Sequence, residues 1–281
     1  MRSTALLPLL LTAFAPSCVI ELGDFGGVKA TKNVDLVFDP SAPVTEILVD
    51  TYNGAVSIEV GEGGQITGTS KVWASGSSDE RAKERLAGMN WTFAEEGKGR
   101  VVLKMARPAS GGSNNAGASA TVKVPVGARV LVDTSNGGVE IHGAFPFAWV
   151  DTSNGSVVVH GAKDVEVDTS NGPVNVQASG KVSIDTSNGG VTYRGSSTDF
   201  LIDSSNGDVE VALEGDWGGQ ATVDTSNGSI TVNCAGVLHC MLDTDTSNGK
   251  LHVEGPAIES SGGRLNLETS NGSIWVKHGA K

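Results

Sequence analysis

Positive charge, aromatic rings and cysteine are all scarce in this 281-residue chain. Lys and Arg number 20 against 32 acidic residues, a net charge of −12. A surface of that sign repels phosphate backbones, so nucleic acid is excluded as an expected partner. Aromatics make up 5% and charged residues 19% of the sequence. That is too little charge for a disordered polyelectrolyte and, with 38 glycines, a poor fit to a helical bundle. Three cysteines are too few for a disulfide scaffold. No Gly-x-Ser-x-Gly, His-Glu-x-x-His or phosphate-binding glycine loop is present. No catalytic residue is assigned on this basis, and no cofactor is expected.

The first segment reads as an address. Arg2 precedes an apolar run from Ala5 to Ala15, interrupted by Pro8 and Thr12. The run is shorter than the roughly 20 residues a membrane-spanning helix needs and matches a secretory signal. It ends in Ala15-Pro16-Ser17-Cys18, which resembles a bacterial lipoprotein lipobox, with Ala15 where Leu is usual and an uncommon Pro16. The resemblance implies that residues 1–17 are a signal peptide and that Cys18 is acylated as the mature N-terminus. Val19 and Ile20, with no Asp at the second position after Cys18, imply the outer membrane by the same resemblance. The plainer alternative is an ordinary secreted protein in which Cys18 is a bystander.

The body of the chain is a repeat. Asp-Thr-Ser-Asn-Gly or a near variant recurs nine times, with asparagines at 53, 136, 154, 171, 188, 206, 227, 248 and 271. With each Asn as position zero, positions −6 and −4 are mainly apolar (Val165 and Val167, for example), and so are +3 and +5 (Val174 and Val176). Polar residues fall between them. Period-2 alternation rich in Val and Ile is the strand signal. The Asn-Gly pair is expected to supply the positive φ of a tight corner.

Two architectures fit: a string of β-hairpins turning at Asn-Gly, or a β-solenoid in which each copy is one coil and Asn-Gly is a corner. The solenoid is preferred. A meander of some sixteen strands would leave an apolar face uncovered, and residues 125–281 contain no helix to cover it. A coil folds that face onto itself, and stacking places like residues about 4.8 Å apart, where Thr and Asn form ladders. The expectation is an all-β, single-stranded β-helix of about eight contiguous 17–23-residue coils. An irregular N-terminal cap contains one short helix. Ser77-x-x-Glu80 reads as its capping box, with Ala82, Leu86 and Met89 at helical spacing. Residues 91–93 and 101–105 read as strands and 109–120 as a flexible loop. The organisation expected is signal peptide 1–17, tether and first strand 18–42, first coil with a cap-like insertion 43–124, and the solenoid over 125–281.

The reiterated Thr-Ser-Asn-Gly-x-Val, with Val124-Pro125 before the first contiguous coil, resembles the DUF4097 adhesin-like family of bacterial β-strand repeat proteins over residues 33–281. The resemblance implies an extracytoplasmic module. The chain closes on Trp275-Val-Lys-His-Gly-Ala-Lys281, which does not suggest autotransport. The role expected is a non-catalytic, lipid-anchored surface at the cell envelope that binds a glycan or a surface protein. The alternative is a polysaccharide lyase or hydrolase on a β-helix scaffold, and a purely structural role is a third option.

Candidate sites follow from the columns. Position −3 is acidic in all nine copies and points outward by parity. Each Asp is expected to cap its own corner as an Asx turn; a Ca²⁺-bridged ladder at Asp151, Asp168 and Asp185 is the weaker reading. His142 and His160 share column +6, which reads as a solvated polar column in preference to a transition-metal pair. Cys234 and Cys240 are expected to form a local disulfide in an oxidising compartment. Trp217, among Gly and Asp, is the candidate exposed platform for a sugar ring, against the plainer view that it folds over the edge of the core.

Overall fold

The computed structural model describes residues 18–22, 28–97, 99–107, 115–258 and 262–279. The expected signal peptide at 1–17 lies outside them, and Cys18 is described in its backbone only. The described residues are all-β with one helix, and the chain packs as two compact units, one ending at Glu140 and the other beginning at Ile141.

The first unit contains β1 (Cys18–Leu22), β2 (Val28–Phe38), β3 (Glu46–Asp50), β4 (Val56–Gly61), β5 (Ile66–Gly76), α1 (Asp79–Ala87), β6 (Trp91–Glu95), β7 (Arg100–Met105), β8 (Ala116–Pro125) and β9 (Arg129–Asn136); β10 (Val139–His142) spans the boundary in sequence. One sheet runs β1-β2-β5-β8-β4 and the other β9-β3-β7-β6. The insertion does more than plug an end. It adds strands to both sheets: β8 lies parallel to β4 and antiparallel to β5, and β7 lies parallel to β3. The expected loop at 109–120 is thus a strand from Ala116 onward. Its Gly-Ala-Ser-Ala composition imitates a linker, but small residues are what the packing demands. A Cβ on Gly117 would sit 2.1 Å from the Asn53 carbonyl oxygen, and Ala116, Ala118 and Ala120 are all buried.

Helix α1 forms as its spacing predicts, burying Ala82 and Leu86. Its cap is Ser78, not Ser77: Ser78 is extended, and its hydroxyl accepts from the Arg81 N–H at 3.4 Å. Phe38 and Phe93 stack at 4.8 Å within the unit's core.

The second unit is the regular solenoid. Its strands are β11 (Phe147–Asn154), β12 (Val157–His160), β13 (Asp164–Asn171), β14 (Val174–Ala178), β15 (Val182–Thr186), β16 (Val191–Gly195), β17 (Asp199–Ser204), β18 (Val209–Leu213), β19 (Gln220–Thr225), β20 (Ile230–Cys234), β21 (Cys240–Thr246), β22 (Leu251–Glu254), β23 (Gly263–Thr269) and β24 (Ile274–His278). Each coil gives one strand to each of two parallel ladders, one starting at β11 and the other at β12. Register matches column to column, as in Val167 beside Val150 and Ile184, and Val174 beside Val157 and Val191. The inward columns are closed to solvent except in the outermost coil.

The coils do not stack in sequence order throughout. Strand order ends β19-β23-β21 in one ladder and β20-β24-β22 in the other, so the last coil inserts beneath the one before it. The last two coils of the second unit are thus out of sequence order. The physical reason lies in the core columns. The inserted coil brings Leu265, Leu267, Ile274 and Val276, all buried, whereas the displaced coil carries Thr244 at −4 and leaves Leu251 and Val253 about half exposed. The less apolar coil takes the outermost place, where burial is least complete.

The corners also differ from expectation. Gly189, Gly207, Gly228, Gly249 and Gly272 are not in the left-handed region; of the repeat's second-unit corner glycines only Gly172 is, at φ 152°. Close approach is what selects glycine here. A Cβ would fall 1.7–2.1 Å from the carbonyl oxygen of the neighbouring corner glycine at Gly172, Gly189, Gly207, Gly228, Gly272 and Gly249.

Candidate functional site

The asparagines form a hydrogen-bonded ladder along the second unit. Each Nδ2 donates to the Oδ1 of the neighbouring rung, through Asn154, Asn171, Asn188, Asn206, Asn227, Asn271 and Asn248, at 2.7–2.9 Å. The −2 hydroxyls clasp the corners from inside. Ser204 Oγ accepts from Gly207 N–H at 3.1 Å and donates to the Gly189 carbonyl at 3.3 Å; Thr269 and Thr246 repeat the pattern. In the earlier coils the strand runs on through the Asn, and the buried Thr152 and Thr169 hydroxyls have no partner. The corner N–H expected to bind the −3 Asp goes to the −2 hydroxyl instead, as at Gly189 and Thr186.

The −3 acids therefore stand as an outward ladder: Asp151, Asp168, Asp185, Asp203, Asp224, Glu268 and Asp245. Partial burial, then the charges of Asp168 and Asp203, push the Asp185 carboxyl up from its usual 3.8. Burial with Asp203 and Glu268 does the same at Asp224. In the first unit Asp133 is raised by burial and by Asp50, against Lys104 and Arg107; Lys104 is ion-paired with Asp50. Among the described residues, no group of three or more His, Cys, Asp or Glu side chains is placed to hold a metal ion. Asp151, Asp168 and Asp185 are stacked but not gathered into a ligand set.

A raised folded-state pKa means that the folded state favours the neutral acid more than the unfolded chain does. The penalty is present at neutral pH and is relieved as pH falls toward and below 3.8. Asp185→Asn is accordingly expected to stabilise the protein at pH 7 by about 0.5 kcal/mol, the scale of like charges directly opposite in a sheet. Thermal melts across pH should show that gain shrinking on acidification; an equal gain at pH 3 and pH 7 would contradict a charge origin.

The remaining expected site residues fall as follows. His142 and His160 meet edge-to-face, ring centres 5.5 Å apart. Cys234 and Cys240 are free, buried thiols, correcting the expected disulfide. Burial pushes both thiols up, away from the reactive thiolate. The Cys234 sulfur is instead within hydrogen-bond reach of the Gly215 carbonyl at 3.3 Å.

Trp217 is not an exposed platform. It is 2% exposed, packs on Phe200, and its indole N–H donates to the Ser197 carbonyl at 2.7 Å. A buried Trp that finds a carbonyl for its N–H is a satisfied core residue.

The exposed ring is Trp275, on the outer face of the β12-to-β22 ladder. It is 45% exposed and stacks on His252, its register partner on β22, with centroids 3.9 Å apart and planes within 10°. On its other side in register stands Thr231. Thr231 ends a shallow groove of about 640 Å³ whose floor runs through Val158, Asn175, Thr192 and Glu210. Trp275 sits at column +4, where most other coils carry smaller or polar side chains. That contrast was the sequence signal for it.

A family model described as Toastrack DUF4097 matches residues 44–276. No curated protein matches the chain in sequence. Among solved structures, a protein described as a cell-adhesion candidate from Clostridium sporogenes is similar at 14% identity, covering 88% of this chain and 99% of its own, with a TM-score of 0.30. A candidate adhesin from Bacteroides fragilis is similar at 13% identity, covering 87% and 97%, with a TM-score of 0.36.

Proposed function

From the premise that the chain belongs to the Toastrack DUF4097 family, we propose that it is a non-catalytic, adhesin-like module of the cell envelope, presenting its outer sheet faces to a glycan or a surface protein. One observation carries this reading: the second unit holds its outward side chains in fixed register over seven rungs, locked by parallel ladders and the asparagine chain. Such an array repeats the same contact along a line, which suits multivalent attachment. Turnover would need unlike groups converging on one reacting atom. The shifted carboxyls fit this view: partial burial raises them, and like neighbours in an open ladder add to it.

Purified protein applied to a glycan array and to immobilised surface proteins should bind saturably and leave a polysaccharide panel uncleaved. Release of reducing ends or unsaturated products would overturn the reading in favour of a lyase or hydrolase.

Lipid anchorage at Cys18 and an outer-membrane address belong to the same proposal, supported by the lipobox-like Ala15-Pro16-Ser17-Cys18. Expressed in a Gram-negative host with labelled palmitate, the wild-type chain is expected to carry label and fractionate with the outer membrane. Cys18→Ser should lose the label and appear in a soluble fraction. Label retained by Cys18→Ser would refute acylation at that residue.

A further inference from the structure

The groove and the exposed indole belong to one surface. Ladder order places β20, β24 and β22 side by side, so Thr231, Trp275 and His252 lie in one outward row. The indole and imidazole planes are nearly parallel and 3.9 Å apart across neighbouring strands. The ring normal of Trp275 therefore points along the stacking direction, with one face covered by His252. The opposite face looks over the small Thr231 side chain into the groove. Trp275 stands one strand beyond Thr231, the residue at which the trough ends, so trough and indole follow one line along the ladder.

We infer that this trough binds an extended, uncharged polysaccharide lying along the stacking direction, with one sugar ring against Trp275. The inference rests on the binding-module reading and names its ligand class. Three features select that class. The floor offers one polar group per coil over four successive coils, the Asn175 amide, the Thr192 hydroxyl, the Glu210 carboxylate and the Thr231 hydroxyl, and a chain of hydroxylated units can meet each of them with a hydrogen bond. The indole face takes the C–H face of a pyranose. Asp208 and Glu210 line the same groove on a chain of net charge −12, which repels uronate, sulfate and phosphate polymers. A flat apolar protein partner would desolvate these carboxylates with no cation among the groove's lining residues to offset the charge, at a cost.

The test uses the full chain and calorimetric titration with cellohexaose, N-acetylchitohexaose and, as the anionic comparison, hexagalacturonate. At least one neutral hexasaccharide is expected to bind. Trp275→Ala should weaken it at least about tenfold, the scale of one lost stacking contact. Trp149→Ala, on the opposite ladder, should leave it unchanged. Thermal melts verify that both variants remain folded, and Trp275→Phe should recover part of the affinity.

Three results overturn the inference: neither neutral sugar binds, binding survives Trp275→Ala, or hexagalacturonate binds in their place. Any of these leaves the module reading standing if a protein or another glycan binds without turnover. Sugar cleavage would instead bring down the module reading itself.

Discussion

The double variant Val167→Asp/Val174→Asp is expected to lose the cooperative thermal transition of the second unit at 25 °C. Val167 and Val174 lie on β13 and β14, in opposite ladders of one coil, and are 2% and 1% exposed. Each is flanked in register by aliphatic neighbours alone, Val150 and Ile184 for the first and Val157 and Val191 for the second. Nothing in those columns can pair with a carboxylate. An unpaired buried charge costs several kcal/mol, and two of them rival the roughly 5–15 kcal/mol that holds a domain folded. The chain will protonate the acids or open the coil, and either outcome breaks the ladder at its middle. Far-UV dichroism and a melting scan provide the check. Asn175→Asp, on the outer face of the same strand, serves as control and should stay within about 0.5 kcal/mol of wild type. A double variant that melts like the wild type would mean that these valines do not face the core.

Gly207→Ala is expected to destabilise by about 3 kcal/mol or more, a drop of about 10 °C in Tm for a unit of this size. The added Cβ would lie 1.9 Å from the Gly189 carbonyl oxygen and 2.5 Å from its carbon. Both are backbone atoms held in the neighbouring rung, so no rotamer change relieves the contact. The coils would have to part, stretching the Ser204 hydroxyl bond to the Gly189 carbonyl, now 3.3 Å. Gly207 is outside the left-handed region, which separates this cause from torsional strain. Gly64→Ala is the comparison: its Cβ meets nothing within 4 Å, and the change should be neutral or slightly stabilising through the unfolded chain. Equal losses at both positions would point to generic backbone effects and away from the corner contact.

Much of the architecture was legible because a parallel stack writes itself into sequence. Matched residues sit at matched heights, so Val at +3 and Asp at −3 recur where the chain returns to the same place. Helix α1 was legible for a local reason, its 3.6-residue spacing. What sequence hid was non-local. Strand β8 is made of small residues because Asn53 lies against Gly117, a contact 64 positions away in the chain. The reversal of the last two coils left one faint mark, Thr244 in an otherwise aliphatic column. Trp217 left two readings open because it lies between repeats, where alternation no longer says which way a side chain points; its burial agrees with the plainer one, a ring folded onto the core. The Asp column was read correctly as outward, but the cap assigned to it belongs to the −2 hydroxyl. Either residue type can accept such a bond, and only geometry shows which one is near enough. Trp275 lay within the register and was overlooked beside a more conspicuous neighbour in a loop.

The reversed order of the final coils bears on how the protein can be made. A solenoid whose coils stack in sequence can add each one as the chain arrives N-terminus first, every new coil settling on a finished template. Here β21 and β22 arrive first but have no final seat until β23 and β24 are in place. That nascent segment must wait unpaired, or must sit provisionally on β19 and β20 and then yield its place. Completion of the second unit therefore waits for the arrival of its last coil.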